Sequence, residues 1–302
     1  LIMLSRTASN LYWMARYLER AESTARLLDA CFQPGMPYAG DLDKLRALPL
    51  HIQNAYADFA LTGTALSIEA VSKFMISCNT RASIRNSLEM ARENARSERS
   101  RLSSEVWGAI NQTWIEFQEM QHKPLAIFTD WLRQRAFIFQ GAVSITMPEN
   151  LSLHFLRLGL YIERADQTLR ILEAKLVLDS LTDYTDYYHW IMILRAVSSF
   201  EAYQETIAAT PSHDRVFKFL LFNKTVPRSV RYCIAKIQDL IELIRAEKRR
   251  PSLKVCGSIF LKLRCDEWTD IVDVGQSDYI QMLQDEVAEL ATSIHKGYFV
   301  TV

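Results

Sequence analysis

Glycine and proline are scarce in this chain, nine and eight among 302 residues, and most of the vocabulary of β-structure and phosphate binding is missing with them. There is no β-hairpin signal, no glycine-rich loop joining a strand to a helix, no nucleophile elbow and no HExxH. Cysteine is scarce as well. The five (Cys31, Cys78, Cys233, Cys256 and Cys265) are odd in number and lack CxxC spacing, which argues against a disulfide framework or a zinc site and predicts buried thiols acting as small hydrophobes. Neither charge is in excess: 35 basic side chains balance 35 acidic ones, so no global field draws in nucleic acid or an anionic membrane, and neither is expected as a partner. No run approaches the ~20 apolar residues that span a bilayer, and the start, Leu1 to Arg6, lacks a signal-peptide core. The expectation is a cytoplasmic protein with Met3 as initiator.

What is present is helix. With 49% hydrophobic and 23% charged residues the chain has the composition of a compact soluble protein, and nearly every segment repeats its apolar residues with a period near 3.6. The fold class read from this is all-α.

Two short stretches organise the chain. Tyr17-Leu18-Glu19-Arg20-Ala21-Glu22 returns as Tyr161-Ile162-Glu163-Arg164-Ala165-Asp166, an offset of 144 positions, and the flanking AESTARLLDA and ADQTLRILEA align at the same offset without a gap. Two copies of one helix are expected. On a helical wheel Leu11, Met14, Leu18, Ala21, Ala25 and Leu28 form one apolar arc, and Trp13, Arg20 and Leu27 mark a second covered side. Glu19, Glu22 and Arg26 then lie between covered faces, where an unpaired charge is costly. Glu22 with Arg26, and Asp166 with Arg170, have the acid-first i,i+4 spacing that pairs along a helix. Glu19 and Arg20 point about 100° apart on the wheel, so their partners must lie elsewhere, on the other copy. Two readings of Glu19, Arg20, Glu163 and Arg164 stand side by side: a crossed ion-pair network that locks the copies in register, or the lining of a pocket for a charged small molecule or peptide terminus.

Taken in order, the first helix ends near Cys31 before the loop Pro34-Gly35-Met36-Pro37, with Ser5 to Ser9 supplying its caps. A second spans roughly Leu42 to Leu61, bent or divided at Pro49. Ser67 to Cys78 and Ala82 to Arg101 follow, the latter capped by Asn79-Thr80 and carrying a basic stripe of Arg81, Arg85, Arg92, Arg96 and Arg99. That stripe is read either as a solvated face paired with Glu89, Glu93 and Glu98 or as a groove for an anion or an acidic helix. Ser103 to Gln121 carries Trp107 and Trp114 as core residues, and Pro124 opens a helix toward Met147. After Pro148-Glu149-Asn150 the second set begins: Leu151 to Leu181, Tyr184 to Ala208, Val216 to Phe222, a helix from Pro227 to Lys248 closed by Glu247-Lys248-Arg249-Arg250-Pro251, then Val255 to Trp268 and Ser277 to His295. Pro227-Arg228-Ser229-Val230-Arg231 matches Ala82-Ser83-Ile84-Arg85 at an offset of 146. The expected architecture is about twelve helices in two related six-helix halves, 1–148 and 149–302, packed as one body. Where the first half has Arg92, Arg96 and Arg99 the second has Gln238, Glu242 and Arg245, so a function of the stripe belongs to the N-terminal half.

Catalytic patterns are thin. A di-metal carboxylate bundle needs ExxH motifs at matching positions, whereas Glu119 to His122 and Asp186 to His189 are not equivalent in the two copies. No metal and no cofactor are expected. His51, His154, His213 and His295 have no ligand or triad spacing.

Ser5-Arg6-Thr7-Ala8, Asn10-Leu11-Tyr12-Trp13 with Arg16 to Glu22, Ala91-Arg92-Glu93-Asn94-Ala95-Arg96, Tyr161 to Asp166 and Pro227 to Arg231 together resemble the bacterial Alpha-E family, over essentially the whole chain. That family is all-helical and named for its Glu-Arg motif. It often has glycine where Ala15 stands and arginine where Leu160 stands. The resemblance implies a setting, since members are encoded beside ATP-grasp ligase-like proteins, transglutaminase-like proteins and sometimes a proteasome-like hydrolase. It points to a peptide synthesis, tagging or modification system. The expected function is a non-catalytic helical protein that binds a partner enzyme or its peptide substrate. The alternatives are an enzyme with Glu19 or Glu163 as general base and Arg20 or Arg164 holding an anionic group, and a purely structural subunit.

Overall fold

The computed structural model describes residues 3–33, 42–178, 183–244 and 250–300. All regular structure among them is helical. In chain order the helices are α1 (Ser5–Cys31), α2 (Leu42–Ile52), α3 (Tyr56–Ala60), α4 (Ile68–Ser77), α5 (Ile84–Ser97), α6 (Ser104–Met120), α7 (Leu125–Thr146), α8 (Leu151–Leu178), α9 (Asp183–Ala196), α10 (Phe200–Ile207), α11 (His213–Phe222), α12 (Val230–Leu243), α13 (Arg250–Cys265), α14 (Trp268–Val274) and α15 (Gln276–Tyr298), with one 3-10 turn at Arg99–Arg101. None is long and apolar enough to cross a membrane.

The two longest helices, α1 and α8, carry the Glu-Arg segments and pack against each other at the centre of the molecule. Their contacts climb both helices in the same direction, from Gly159 against Tyr12 to Glu163 against Arg16 and Arg164 against Glu19, so the pair runs parallel. A Cβ on Gly159 would sit 2.2 Å from the Tyr12 carbonyl oxygen. Glycine is what lets the two backbones come this close. α5, α7, α9 and α2 also pack on α1, and α12, α15 and α2 on α8. From Ala21 to Leu28 every α1 side chain is buried. The apolar part of that surface joins one continuous core with Phe117, Phe128, Trp190, Tyr203 and Leu283, while Glu22, Ser23, Thr24 and Arg26 are polar groups enclosed within it.

Several boundaries differ from those read in the sequence, each for a local reason. Pro49 lies inside α2; the break comes at Asn54, whose left-handed φ of +52° ends the helix, and α3 restarts two residues later. The expected helix from Tyr184 to Ala208 divides in the same way at Ser198, also at φ +52°, into α9 and α10. The segment from Val255 to Trp268 becomes α13 and a separate α14, because Glu267 forms a capping box with Asp270 and opens a new helix. Ser83, rather than Asn79-Thr80, caps α5: its hydroxyl accepts the Asn86 N–H at 3.1 Å. Ser103 and Ser229 cap α6 and α12 likewise. Ser5 to Ser9 lies within α1, whose N-cap is Leu4 without a side-chain bond. Among the described residues, fifteen helices replace the expected twelve through these breaks. The loop at Pro34 to Pro37, Leu181, Arg245 and Glu247 to Arg249 lie outside the described residues.

Trp107 and Trp114 pack at the edge of the core. Cys31, Cys233 and Cys256 are buried, Cys78 is half-buried and Cys265 is exposed, so the expectation of buried thiols fails at Cys265. Burial pushes the Cys233 and Cys256 thiols up to about 12.

Candidate functional site

The close approach of α1 and α8 brings their charged segments face to face. Glu163 is fully buried. Its carboxylate accepts Arg16 Nε at 2.8 Å and a forked pair from Arg20, Nε at 2.6 Å and Nη2 at 3.0 Å, with the Gln167 amide at 3.4 Å. Burial opposes its ionisation, but Arg16 and Arg20 outweigh burial and hold the carboxyl down at about 2. Arg16 is itself held in place: Nη1 donates to Tyr12 Oη at 3.2 Å and the guanidinium lies 4.8 Å from the Trp13 ring centroid.

Glu19, equally buried, receives Arg164 Nε at 3.0 Å and Arg228 Nη1 at 2.6 Å on one oxygen. Its Oε2 has no hydrogen-bond partner among the described residues. Arg228 also donates Nη2 to Glu22 at 2.6 Å and reaches Ser23 Oγ at 3.3 Å. Glu22 meets Arg26 Nε at 2.5 Å as its spacing predicts. Against the opposition of burial, Arg228 and then Arg26 hold the Glu22 carboxyl at about 2. At neutral pH, Glu163 and Glu22 are ionised acceptors enclosed by guanidinium groups.

Asp166 and Arg170 also pair, at 2.9 Å, but at the edge of the network, with their side chains 19% and 30% exposed. Burial raises the Asp166 carboxyl above its ordinary value and the charge of Glu163 adds to this, while Arg170 pulls it down. Asp166 and Arg170 open onto a groove of about 580 Å³ between α2, α8 and α15, lined also by Leu48, His51, Glu173, Asp285 and Ala288. A second hollow of about 280 Å³ shares Asn54, Asp166 and Arg170 with that groove and adds Arg20, Asp58, Arg81 and Gln167. A third, of about 190 Å³, lies among Arg26, Phe137, Arg164, Ser198 and Arg228.

The five arginines of the basic stripe have different surroundings. Arg81 lines the second hollow. Arg92 donates to Asn111 and Glu93, and exposed Arg96 to Glu93. Arg99 lies over the Trp107 ring, and Arg85 is exposed. Glu98, read as a partner of the stripe, is instead buried and accepts Asn10 of α1 at 2.8 Å.

Sequence reasoning assigned no role to Arg16 or Arg228. Arg16 has no counterpart at the offset of 144, where Leu160 stands, and Arg228 reaches Glu22 across 206 positions. A usable signal for Arg228 existed in its block beside Ser229, which aligned with Ala82-Ser83. The groove left no trace in spacing. Among the described residues no group of three or more His, Cys, Asp or Glu is placed to hold a metal ion.

No curated protein and no solved structure matches the chain. One family's sequence model matches residues 3–299, under the description of a predicted alpha-helical domain with a conserved ER motif; Glu19-Arg20 and Glu163-Arg164, which meet between α1 and α8, both have that sequence. On that match, the chain belongs to the Alpha-E family.

Proposed function

We propose that this protein is a non-catalytic binding component of a bacterial peptide synthesis, tagging or modification system, working in the cytoplasm beside ATP-grasp-like and transglutaminase-like proteins. It holds a peptide substrate, or a segment of a partner enzyme, in the groove between α2, α8 and α15. The observation that carries this reading is the division of labour in the charged network. Glu163 and Glu22 are consumed by arginines, with proton affinities far below those of a base poised for neutral pH, whereas the adjoining groove has the volume of a ligand site, about 580 Å³, and a partly apolar floor. The Glu-Arg motif is then a frame that fixes α1 against α8 and thereby sets the walls of the groove.

The frame is the product of an internal duplication, residues 1–148 and 149–302. Three backbone hydrogen bonds support it: Gln53 to Pro49, Asn54 to His51 and Ala55 to Leu50 recur, at an offset of 144, as Val197 to Ile193, Ser198 to Arg195 and Ser199 to Leu194. The serine caps at Ser83 and Ser229 recur at an offset of 146.

The test is co-expression with the neighbouring ligase-like and transglutaminase-like proteins, followed by capture. Ala288→Trp fills the groove, while Arg92→Ala/Arg96→Ala alters the exposed face of α5. Loss of the complex in the groove variant alone, with thermal melting unchanged, is the expected result; loss in the arginine variant alone moves the binding surface to α5 and refutes the groove.

One observation favours a second reading, an enzyme. Asp166 is a carboxyl of raised proton affinity in a cleft beside an arginine, the arrangement of a general acid or base. Turnover of a peptide substrate by the isolated protein that disappears in Asp166→Asn would favour it over the binding role.

A further inference from the structure

We propose that the hollow beside the groove is an oxyanion site, which takes a carboxylate or phosphate group carried by the ligand that fills the groove; the proposal rests on the binding role given above. Three guanidinium groups, Arg20, Arg81 and Arg170, line it against two carboxylates, Asp58 and Asp166. Among the described residues, each of the three keeps donors that the protein does not use. Arg20 uses Nε and Nη2 on Glu163 and leaves Nη1. Arg170 uses Nε on Asp166 and leaves both terminal nitrogens. Arg81 is exposed and makes no hydrogen bond or ion pair among the described residues.

The third hollow supplies an internal contrast. There Arg228, on the loop before α12, turns inward and spends its terminal nitrogens on Glu19, Ser23 and Glu22. Arg81, on the loop before α5, has Ala82 beside it and pairs with no carboxylate among the described residues. Among the described residues, Arg228 is therefore spent on the protein's own acids, whereas the second hollow presents the terminal nitrogens of Arg81 and Arg170 and the Nη1 of Arg20. Arg20 and Arg170 are partly buried, at 22% and 30% side-chain exposure, and a guanidinium in such a setting gains most from a planar or tetrahedral oxyanion that takes two donors at once. Asn54 lines both the hollow and the groove. A peptide lying in the groove would thus end with its carboxylate among the arginines.

The experiment is calorimetric titration of the full chain with acetyl-Ala-Ala-Ala as the free acid, the same peptide as its C-terminal amide, inorganic phosphate, and agmatine as a cationic control. Each is repeated with Arg81→Ala, which removes no hydrogen bond or ion pair among the described residues, and with Arg170→Gln. The free acid is expected to bind, and the amide to bind about tenfold or more weaker, the worth of one charge-assisted hydrogen bond. Arg81→Ala should erase that difference while melting at the wild-type temperature. Phosphate that binds the wild type and is lost in Arg81→Ala, in place of the free acid, identifies a phosphorylated ligand and also supports the site. Equal binding of acid and amide, or preference for agmatine, overturns the oxyanion site while the groove stands. Failure of every probe to bind at millimolar concentration overturns both.

Discussion

Glu163→Gln is the most direct test of the charged frame. The substitution keeps the shape of the side chain and removes one charge at a fully buried position, where Arg16 and Arg20 donate at 2.6 to 3.0 Å. The amide nitrogen that replaces one oxygen is a donor facing donors. Breaking a buried ion pair by removing one partner costs roughly 3–5 kcal/mol, because the remaining charge is left without compensation. Arg16 and Arg20 keep 11% and 22% side-chain exposure, and water reaching them brings the expected loss to the lower end, about 3 kcal/mol. For a chain of this size each kcal/mol lowers the melting temperature by roughly 2 °C, so the expected fall is about 6 °C. Thermal and urea unfolding followed by circular dichroism would measure it. Combining Glu163→Gln with Arg20→Gln in a double-mutant cycle isolates the pairwise term, and the two changes should be strongly non-additive. A loss below about 1 kcal/mol with additive effects is what an exposed, screened pair gives, and that result would refute the idea that these charges lock α1 to α8.

Gly159→Ala should destabilise the protein by about 1–3 kcal/mol or more, the cost of overpacking, since the new methyl must displace the Tyr12 backbone; an unchanged urea midpoint would show that the helices are not held this close. Arg228→Met is expected to cost more than Arg26→Met in the same assay, because it strips counter-charge from both Glu19 and Glu22 whereas among the described residues Arg26 pairs with Glu22 alone. Stability should also fall in acid. Glu22 and Glu163 have folded values near 2, below the ordinary 4.5, so their contribution is complete above about pH 4.5 and is lost as the pH falls from there toward 2. Melting temperature measured across that window should drop steeply in the wild type and less steeply in Glu163→Gln; parallel slopes would contradict the assignment.

The sequence alone determined the helical class, the apolar arc of α1 and the local pairs Glu22–Arg26 and Asp166–Arg170, since all of these depend on side chains within about one turn of each other along a chain of period 3.6. It also imposed the demand that Glu19 find a partner beyond its own helix, because an enclosed carboxylate cannot stay unpaired. Helix breaks at Asn54 and Ser198 escaped it, for neither position carries a glycine to announce a left-handed residue. The tertiary structure alone decided who answers that demand. Gly159 permits a backbone approach that periodicity cannot express, and the parallel packing that follows puts Arg16 and Arg20 on Glu163, while the loop before α12 brings Arg228 to Glu19 and Glu22. The groove and its arginine-lined neighbour were decided in the same way, since their walls come from α2, α8 and α15 and from loops far apart in the chain. A concave surface is a property of how helices are placed relative to one another, and helical periodicity fixes only which side of each helix is covered.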